Sequence, residues 1–215
     1  MRNPFDFAAV EYDAWYDSPE GSIIFREELE CVLLVKGRMG TRWLEVGAGT
    51  GRFGSRLGVR YALDPSRPML LIASRRGMQP LVGTAEALPL SENLLDGVLM
   101  VVALSFCADP TVALHECARV VRRGGAIVAA IVPRNSAWGL HYTRKGADGH
   151  PLYSRARFLG VEDVVNYAAA AGLVLKDAAS ALLWKPDHQA ASGHAVERGA
   201  VPGAGFVALR FERPG

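Results

Sequence analysis

The 215-residue sequence predicts an α/β fold in which helices cover both faces of a mostly parallel β-sheet. Three observations lead to this prediction. Short apolar runs recur along the chain, and helical stretches separate them. The runs are almost continuously hydrophobic, which is typical of strands buried on both faces. A glycine-rich turn directly follows the first run, at the point where a helix is expected to begin.

Seven apolar runs are interpreted as β-strands, at residues 43–46, 59–63, 79–83, 97–104, 126–132, 173–184 and 205–211. Parallel strands joined by right-handed helical crossovers form an open, doubly wound sheet with a ligand crevice at the carboxyl ends of the strands. We therefore expect the binding site in the loops that follow these strands. One domain, spanning residues 1–215, is the default for a chain of this length.

The clearest helix lies between the fourth and fifth strands. Asp109 is placed to cap its amino terminus, and Pro110 occupies the first helical position. The arginine pair at 122–123 is expected in the last turn, with Gly124 just past the end. A second helix is predicted from about residue 161 to the glycine at 172.

Composition and charge argue against several classes of function. The net charge is +2, and basic and acidic residues alternate without a basic tract, so nucleic acid is not favoured as a partner. Cys31, Cys107 and Cys117 lack metal-type spacing, and an odd number of cysteines does not suit a disulfide framework. The sequence shows no secretory leader, and its apolar runs are only strand-length. We expect a cytoplasmic protein without a membrane partner.

Two segments do not follow the strand–helix alternation. One lies in an N-terminal cap (residues 1–38), and the other is a loop-like insertion at about residues 133–160. Residues 1–40 carry eight acidic and four basic side chains, whereas residues 133–160 carry one acidic and five basic side chains. Opposite charge suggests a salt-sensitive lid in which one segment closes over the other. Two solvated loops are the alternative.

The strongest local signal is the segment Glu45-Val46-Gly47-Ala48-Gly49-Thr50-Gly51, where a strand ends in a glycine-rich turn. Such a turn lets a ligand approach and hydrogen-bond to bare backbone. Gly49, Gly51 and Gly54 also satisfy the dinucleotide pattern GxGxxG, so the glycines alone leave a nicotinamide-dependent oxidoreductase open. Asp64 lies 13 residues after Gly51, closer than the roughly 20 residues expected of a dinucleotide site.

The glycine segment resembles the first motif of class I S-adenosylmethionine-dependent methyltransferases. The resemblance continues through segments 82–90, 95–98 and 118–125 and covers about residues 40–132. It implies a Rossmann-like, doubly wound, mostly parallel seven-stranded sheet with an antiparallel C-terminal strand. It also implies S-adenosylmethionine as the cofactor. The implied cofactor-binding residues are Glu45, Gly47, Ala48, Gly49, Gly51, Asp64, Pro65, Ser66, Thr84, Ala85, Glu86, Met100 and Val101.

The resemblance gives these segments separate roles. The glycine loop contacts the amino-acid portion of the cofactor, segment 82–90 lies against the adenine, and Asp64 accepts both ribose hydroxyls. A carboxylate suits two adjacent hydroxyls because they donate in nearly parallel directions. Thr84 departs from the family pattern, which commonly has an aspartate there. Its hydroxyl still offers an acceptor for the adenine amino group, but adenine recognition is expected to be weaker or altered.

Aromatic residues outside the resembling region are candidates for the acceptor site. Tyr12, Tyr16, Phe106 and Trp138 are predicted to line the substrate pocket, with ordinary helix packing as the alternative for the N-terminal residues. The segment around Tyr12 and Tyr16 resembles the N-terminal cap of related small-molecule methyltransferases.

The catalytic group itself is not identified by any motif. Tyr16, His141 and Tyr142 are the candidates, because oxygen or protonated nitrogen acceptors benefit from a nearby base. His188 and His194 fall in a polar connection and carry little weight. Acidic residues do not cluster with histidine, so we expect catalysis without a metal.

The resulting functional prediction is transfer of a methyl group to a small-molecule acceptor by in-line displacement. A cofactor-binding scaffold or regulatory subunit without catalysis is the alternative. A nicotinamide-dependent oxidoreductase is opposed by the spacing of Asp64. The protein is expected to act as a monomer or a homodimer.

Overall fold

The structure is a computed structural model and describes residues 3–38, 40–186 and 196–215. The histidines at 188 and 194 therefore lie outside the described residues. The helices are α1 (Phe5–Trp15), α2 (Pro19–Val35), α3 (Arg52–Leu57), α4 (Arg67–Arg75), α5 (Pro110–Val120), α6 (Ala137–Ala147) and α7 (Val161–Ala170), with 3₁₀ turns at Ala103–Phe106 and Tyr153–Arg155. The strands are β1 (Trp43–Val46), β2 (Tyr61–Asp64), β3 (Gln79–Val82), β4 (Leu95–Val101), β5 (Val121–Ile131), β6 (Val174–Ala181), β7 (Glu197–Arg198) and β8 (Phe206–Glu212).

Within the described residues, the strands form one sheet in the order β3-β2-β1-β4-β5-β8-β6-β7. The first five strands pair in parallel, whereas β8 is antiparallel to both β5 and β6. The predicted fold class is confirmed, and all seven predicted strands are present. The two-residue β7 is an addition that the sequence did not predict.

Helices bury both faces of the sheet, as the continuous hydrophobicity of the strands predicts. The core on one face contains side chains of α5 and α7, and the core on the other contains side chains of α2, α3, α4 and α6. The chain builds outward from β1 to β3 on one side and then returns to β4 beside β1. This reversal places a crevice at the carboxyl ends of β1 and β4.

The predicted start of α5 is confirmed, but its predicted end is wrong. The Asp109 carboxylate accepts hydrogen bonds from the backbone N–H groups of Thr111 and Val112, as a helix cap should. The helix ends at Val120, and the arginine pair at 122–123 belongs to β5. The side chain of Arg122 pairs with Asp96 at 2.9 Å, so a contact with β4 overrides the local helix-ending signal.

Two further boundaries differ from the sequence prediction. Strand β4 ends at Val101 instead of 104, because Val102 adopts a left-handed conformation (φ 58°) and starts a 3₁₀ turn. The insertion at 133–160 is not loop-like, since it contains α6. Ser136 caps this helix by accepting from the Gly139 N–H at 2.9 Å, and its residues Trp138 and Tyr142 are buried. Tertiary burial thus supports a helix whose local propensity is weak.

Gly97 in β4 has no room for a side chain, so we expect Gly97→Ala to destabilise the fold. An added Cβ would lie 2.4 Å from two ring carbons of Trp43 and 2.7 Å from the Ala126 carbonyl oxygen. Such overpacking is expected to lower the free energy of unfolding by about 2 kcal/mol, measurable by denaturant titration. Ser74→Ala on the exposed face of α4 is the control and should change little. Equal stability of the Gly97→Ala variant and the wild type would contradict this packing.

Candidate active site

A cavity of about 610 Å³ lies at the carboxyl ends of β1, β2 and β4. This volume is in the range of small-molecule and cofactor sites. The glycine loop after β1 and residues 64–65 at the end of β2 form one wall. Side chains of α1, α2 and α6 form the opposite wall, so the two irregular segments of the sequence analysis enclose the same cavity.

The glycine loop is held in a conformation that only glycine adopts easily. Gly47, Gly49 and Gly51 all have positive φ, at 69°, 53° and 73°. A Cβ at Gly47 would lie 2.5 Å from the Cβ of Ala103, and one at Gly51 would lie 2.6 Å from the sulfur of Met78. At Gly49 the nearest atom is a ring carbon of Tyr12 at 3.9 Å. Two glycines therefore permit close packing, and Gly49 exposes backbone to the cavity.

Glu45 does not line the cavity, and its carboxyl group instead links β1 to α3. Its side chain is 2% exposed, and Oε2 accepts from the backbone N–H of Gly54 at 3.1 Å. Burial raises the pKa of Glu45 to about 8, and the charge of Asp64 adds to this effect. The carboxyl group is thus protonated near neutral pH in the free protein.

We expect Glu45→Gln to reduce the pH dependence of stability. Because the folded-state pKa of about 8 exceeds the ordinary value of 4.5, the contribution of Glu45 is present below pH 4.5 and is lost as pH rises through 8. Glutamine mimics the protonated form at all pH values. Between pH 5 and 8, the variant should lose less unfolding free energy than the wild type, by roughly 2 to 4 kcal/mol.

Urea titrations of the cofactor-free protein at both pH values measure this difference. Glu30→Gln is the matched control, since Glu30 is an exposed residue of α2. Parallel pH profiles for Glu45→Gln and the wild type would show that Glu45 ionises normally in the fold.

Asp64 is the last residue of β2 and faces the cavity. Hydrogen bonds fix the orientation of both its carboxylate oxygens. Oδ2 accepts from the Gly49 N–H at 2.9 Å, and Oδ1 accepts from the Ser66 N–H at 2.8 Å. The side chain is 8% exposed, and burial raises its pKa despite these two hydrogen bonds. Each oxygen keeps a second lone pair, so the carboxylate can accept two further hydrogen bonds in parallel.

The segment after β3 forms a third side of the cavity. Thr84, Ala85 and Glu86 all line it. The Glu86 carboxylate accepts from the Ala108 N–H at 2.7 Å, which ties this segment to the start of α5. The Arg119 side chain donates to the carbonyl oxygens of residues 88 and 90 and fixes the rest of the segment.

Helix α1 is fastened to the glycine loop by a group of ion pairs. The Arg52 guanidinium pairs with Asp13 at 2.9 Å and with Asp17 at 2.7 Å. Arg76 pairs with the other oxygen of Asp13 at 2.8 Å and donates to the Thr50 carbonyl. The acidic residues Asp13 and Asp17 therefore bind arginines beside the glycine loop, and not the basic insertion as the lid hypothesis expects.

The ion pairs place Tyr12 of α1 and Tyr16, which directly follows α1, over the cavity. Tyr12 and Tyr16 join hydroxyl to hydroxyl at 3.1 Å, and both lie in the cavity wall. Across from them, the rings of Tyr142 and Tyr153 stack with centroids 4.6 Å apart. Trp138 is held in place because its indole N–H donates to the Trp184 carbonyl oxygen at 2.7 Å.

Comparisons with known proteins identify the family to which this chain belongs. A family model described as a methyltransferase domain matches residues 44–129. A solved structure from Thermotoga maritima, a SAM-dependent methyltransferase described as a possible histamine N-methyltransferase, superposes with a TM-score of 0.89. It is 30% identical, and the alignment covers 98% of both chains. The chain belongs to the class I S-adenosylmethionine-dependent methyltransferases.

Two further proteins are similar in sequence to this methyltransferase. An uncharacterised protein of Mycobacterium tuberculosis is 36% identical over 94% of this chain and 70% of its own length. A malonyl-[acyl-carrier protein] O-methyltransferase of Methylococcus capsulatus is 32% identical over 68% of this chain and 56% of its own length. The resemblance drawn from the sequence motifs is thus confirmed at the level of the family.

The structure brings most of the predicted site residues of the methyltransferase to one cavity. The lining includes Gly47, Gly49, Asp64, Pro65, Thr84, Ala85, Glu86 and Val101 from the cofactor set, and Tyr12, Tyr16, Phe106, Trp138, His141 and Tyr142 from the acceptor and catalytic set. Outside the lining are Glu45, Ala48, Gly51, Ser66 and Met100. Met100 packs in the core with its sulfur 3.7 Å from that of Cys117.

Sequence reasoning missed Glu28, an acidic residue of α2 in the cavity wall. Its side chain is 6% exposed. The missed signal is its position on the buried stripe of α2, between Ile24 and Val32, where a charged residue is out of place. Glu20 also lines the cavity but is exposed.

The described residues contain neither a metal-binding cluster nor a membrane-spanning helix. No group of three or more His, Cys, Asp and Glu side chains there is arranged to hold a metal ion. No helix in the described ranges has the length and apolar character needed to cross a membrane. Metal-independent catalysis stays a prediction.

Proposed function

We propose that the methyltransferase transfers the methyl group of S-adenosylmethionine to a small-molecule acceptor inside this cavity. The observation that carries the proposal is the position of the cavity. One wall is the glycine loop with Asp64, and the other is the aromatic cover from α1 and α6. A site enclosed on both sides suits a small acceptor better than a polymer strand.

The residues present fit the cofactor on chemical grounds. Gly49 exposes backbone toward the cavity, and Asp64 holds two free lone pairs in a fixed orientation, as the adjacent hydroxyls of a ribose require. When bound, the cofactor supplies a methyl group that its sulfonium already activates for displacement. Thr84 and Ala85 line the same cavity, and the family resemblance implies that they border the adenine.

The aromatic cover positions the acceptor and excludes water from the cavity. Burial raises the pKa of Tyr12 to about 12 and holds the pKa of Tyr16 and Tyr142 well above the usual range. These phenols therefore stay protonated at neutral pH and act as hydrogen-bond donors or apolar walls, not as bases. Holding the acceptor atom close to the methyl carbon, in line with its bond to sulfur, is the main requirement of such a displacement.

The similar protein from Thermotoga maritima supports a small acceptor, since it is described as a possible histamine N-methyltransferase. The test uses S-adenosylmethionine carrying a labelled methyl group. The enzyme is incubated separately with a bacterial metabolite extract, with denatured cell protein and with total RNA. Label in the metabolite extract alone is the expected result. Label fixed to protein or RNA would overturn the proposal of a small-molecule acceptor.

A further inference from the structure

Glu28 is a buried carboxylate in the cavity wall, and no group in the part of the chain that the structure describes neutralises it. It projects from the apolar stripe of α2 into the cavity and is 6% exposed. In the described part of the chain, no backbone or side-chain group donates a hydrogen bond to it. Its buried neighbour Glu27 is different, because that carboxylate accepts from the indole N–H of Trp184 at 3.1 Å. An unpaired buried carboxylate is costly unless a proton or a cation neutralises it.

Four tyrosines line the same cavity as Glu28, and none of them hydrogen-bonds to it. The charge of Glu28 contributes to the raised pKa of Tyr12, Tyr16, Tyr142 and Tyr153, so all four lie within its electrostatic reach. The Tyr12 hydroxyl pairs with the Tyr16 hydroxyl instead, and the rings of Tyr142 and Tyr153 stack on each other. Within the described residues, the Glu28 carboxylate is thereby left without a hydrogen-bond donor.

This arrangement has the features of a site for an organic cation. Aromatic faces attract ammonium groups, and a desolvated carboxylate supplies a charge-assisted hydrogen bond. Lys145 is the cationic side chain that the structure places in the cavity wall near Tyr142, and it is exposed. Solvent screens its charge more than that of the buried Glu28.

We propose that the acceptor is a small protonated amine whose ammonium group binds Glu28 between the tyrosine rings. This inference rests on the proposed function and names its substrate class. Glu28 accepts one proton from the ammonium, which frees the nitrogen lone pair. The nitrogen–methyl bond forms as the sulfur–methyl bond breaks, and the electron pair stays on sulfur as the thioether. The product leaves as a methylammonium ion, and the proton on Glu28 passes to water.

Because desolvation raises the pKa of Glu28 to about 8, the empty site holds a proton near neutral pH and releases it when a cation enters. The competing assignment is that Glu28 binds the amino group of the cofactor. The affinity of Glu28→Gln for S-adenosylhomocysteine distinguishes the two assignments.

The experiment compares ligands of different charge on enzyme loaded with S-adenosylhomocysteine. Calorimetric titrations use ethylamine, histamine and 2-phenylethylamine as cations. They also use 2-phenylethanol and 3-phenylpropanoate, which resemble 2-phenylethylamine in size but are neutral and anionic. We expect at least one amine to bind, and 2-phenylethylamine to bind about tenfold or more tightly than its neutral and anionic counterparts.

The same titrations on Glu28→Gln assign the charge preference to this residue. Amine affinity should fall about thirtyfold, while affinity for S-adenosylhomocysteine stays within about threefold. Glu30→Gln, on the exposed side of the same helix, should change neither affinity. Circular dichroism checks the fold, and Glu28→Met, similar in shape but uncharged, serves if glutamine is poorly tolerated.

The results that would contradict these expectations each overturn a stated proposal. Equal or tighter binding of the alcohol or the carboxylate, or no binding of any amine, would overturn the amine proposal while leaving the methyltransferase proposal intact. Weaker S-adenosylhomocysteine binding by folded Glu28→Gln would move Glu28 to the cofactor site and also overturn it. Failure of wild-type enzyme to bind S-adenosylhomocysteine would instead contradict the proposed function.

Discussion

Replacing Asp64 with alanine is expected to weaken the binding of S-adenosylhomocysteine by about a hundredfold, through the loss of two charge-assisted hydrogen bonds to ribose. The carboxylate is also what orients the loop, since it accepts from the N–H groups of Gly49 and Ser66. Removing it leaves both donors without this partner, so the remaining loop contacts should weaken as well.

Tryptophan fluorescence measures this affinity, because Trp15 and Trp138 line the cavity. Asp148→Ala is the matched control, since Asp148 is exposed at the end of α6 and lies outside the cavity lining. A dissociation constant for folded Asp64→Ala equal to that of the wild type would remove Asp64 from the cofactor site.

Replacing Arg52 with glutamine is expected to release α1 from the glycine loop. The Arg52 side chain is 13% exposed and makes hydrogen bonds to both Asp13 and Asp17. The pair with Asp13 is largely buried, and breaking such a pair typically costs about 3 kcal/mol, whereas Asp17 is too exposed to contribute much. Arg76 keeps one contact to Asp13, so the local opening of α1 should increase by about thirtyfold.

Limited digestion with chymotrypsin detects this opening, because α1 carries Phe5, Phe7, Tyr12 and Trp15. Cleavage within α1 should accelerate about tenfold or more, and methyl transfer should fall more than cofactor affinity, since Tyr12 and Tyr16 are displaced. Arg134→Gln breaks the exposed pair with Asp163 and is the control, with an effect below about 1 kcal/mol. An unchanged digestion pattern would show that α1 is held by its packing alone.

The elements near the glycine loop were predictable because their signals are local. Strand β1 occupies the predicted residues, and Asp109 caps α5 as predicted. Glycine spacing and the acid that ends β2 predicted one wall of the cavity from the sequence. In each case, the deciding contact joins residues that are close along the chain.

The sequence predictions are wrong where contacts between residues far apart along the chain determine the structure. The end of α5 depends on the pairing of Arg122 with Asp96, 26 residues away. The helix in the insertion depends on burial of Trp138 against Trp184. The opposite charges of the two irregular segments predicted that they meet, and they do enclose one cavity. The ion pairs of Asp13 and Asp17 nevertheless go to Arg52 and Arg76, which no local pattern indicates.

The unusual position of Glu28 can be recognised from the sequence only once the bounds of α2 are known. Once α2 is known to span Pro19–Val35, its buried stripe contains both Glu27 and Glu28. Two acids on an apolar stripe call for partners. The structure provides one for Glu27 and leaves Glu28 facing the cavity.

Titration calorimetry of the wild-type protein directly tests whether this cavity binds S-adenosylmethionine. S-adenosylhomocysteine and NADH are titrated in parallel into cofactor-free protein, because the glycine pattern alone permits either ligand class. The account predicts one S-adenosylhomocysteine site per chain, with a dissociation constant on the order of micromolar, and no heat from NADH. Binding of NADH without binding of S-adenosylhomocysteine would contradict it.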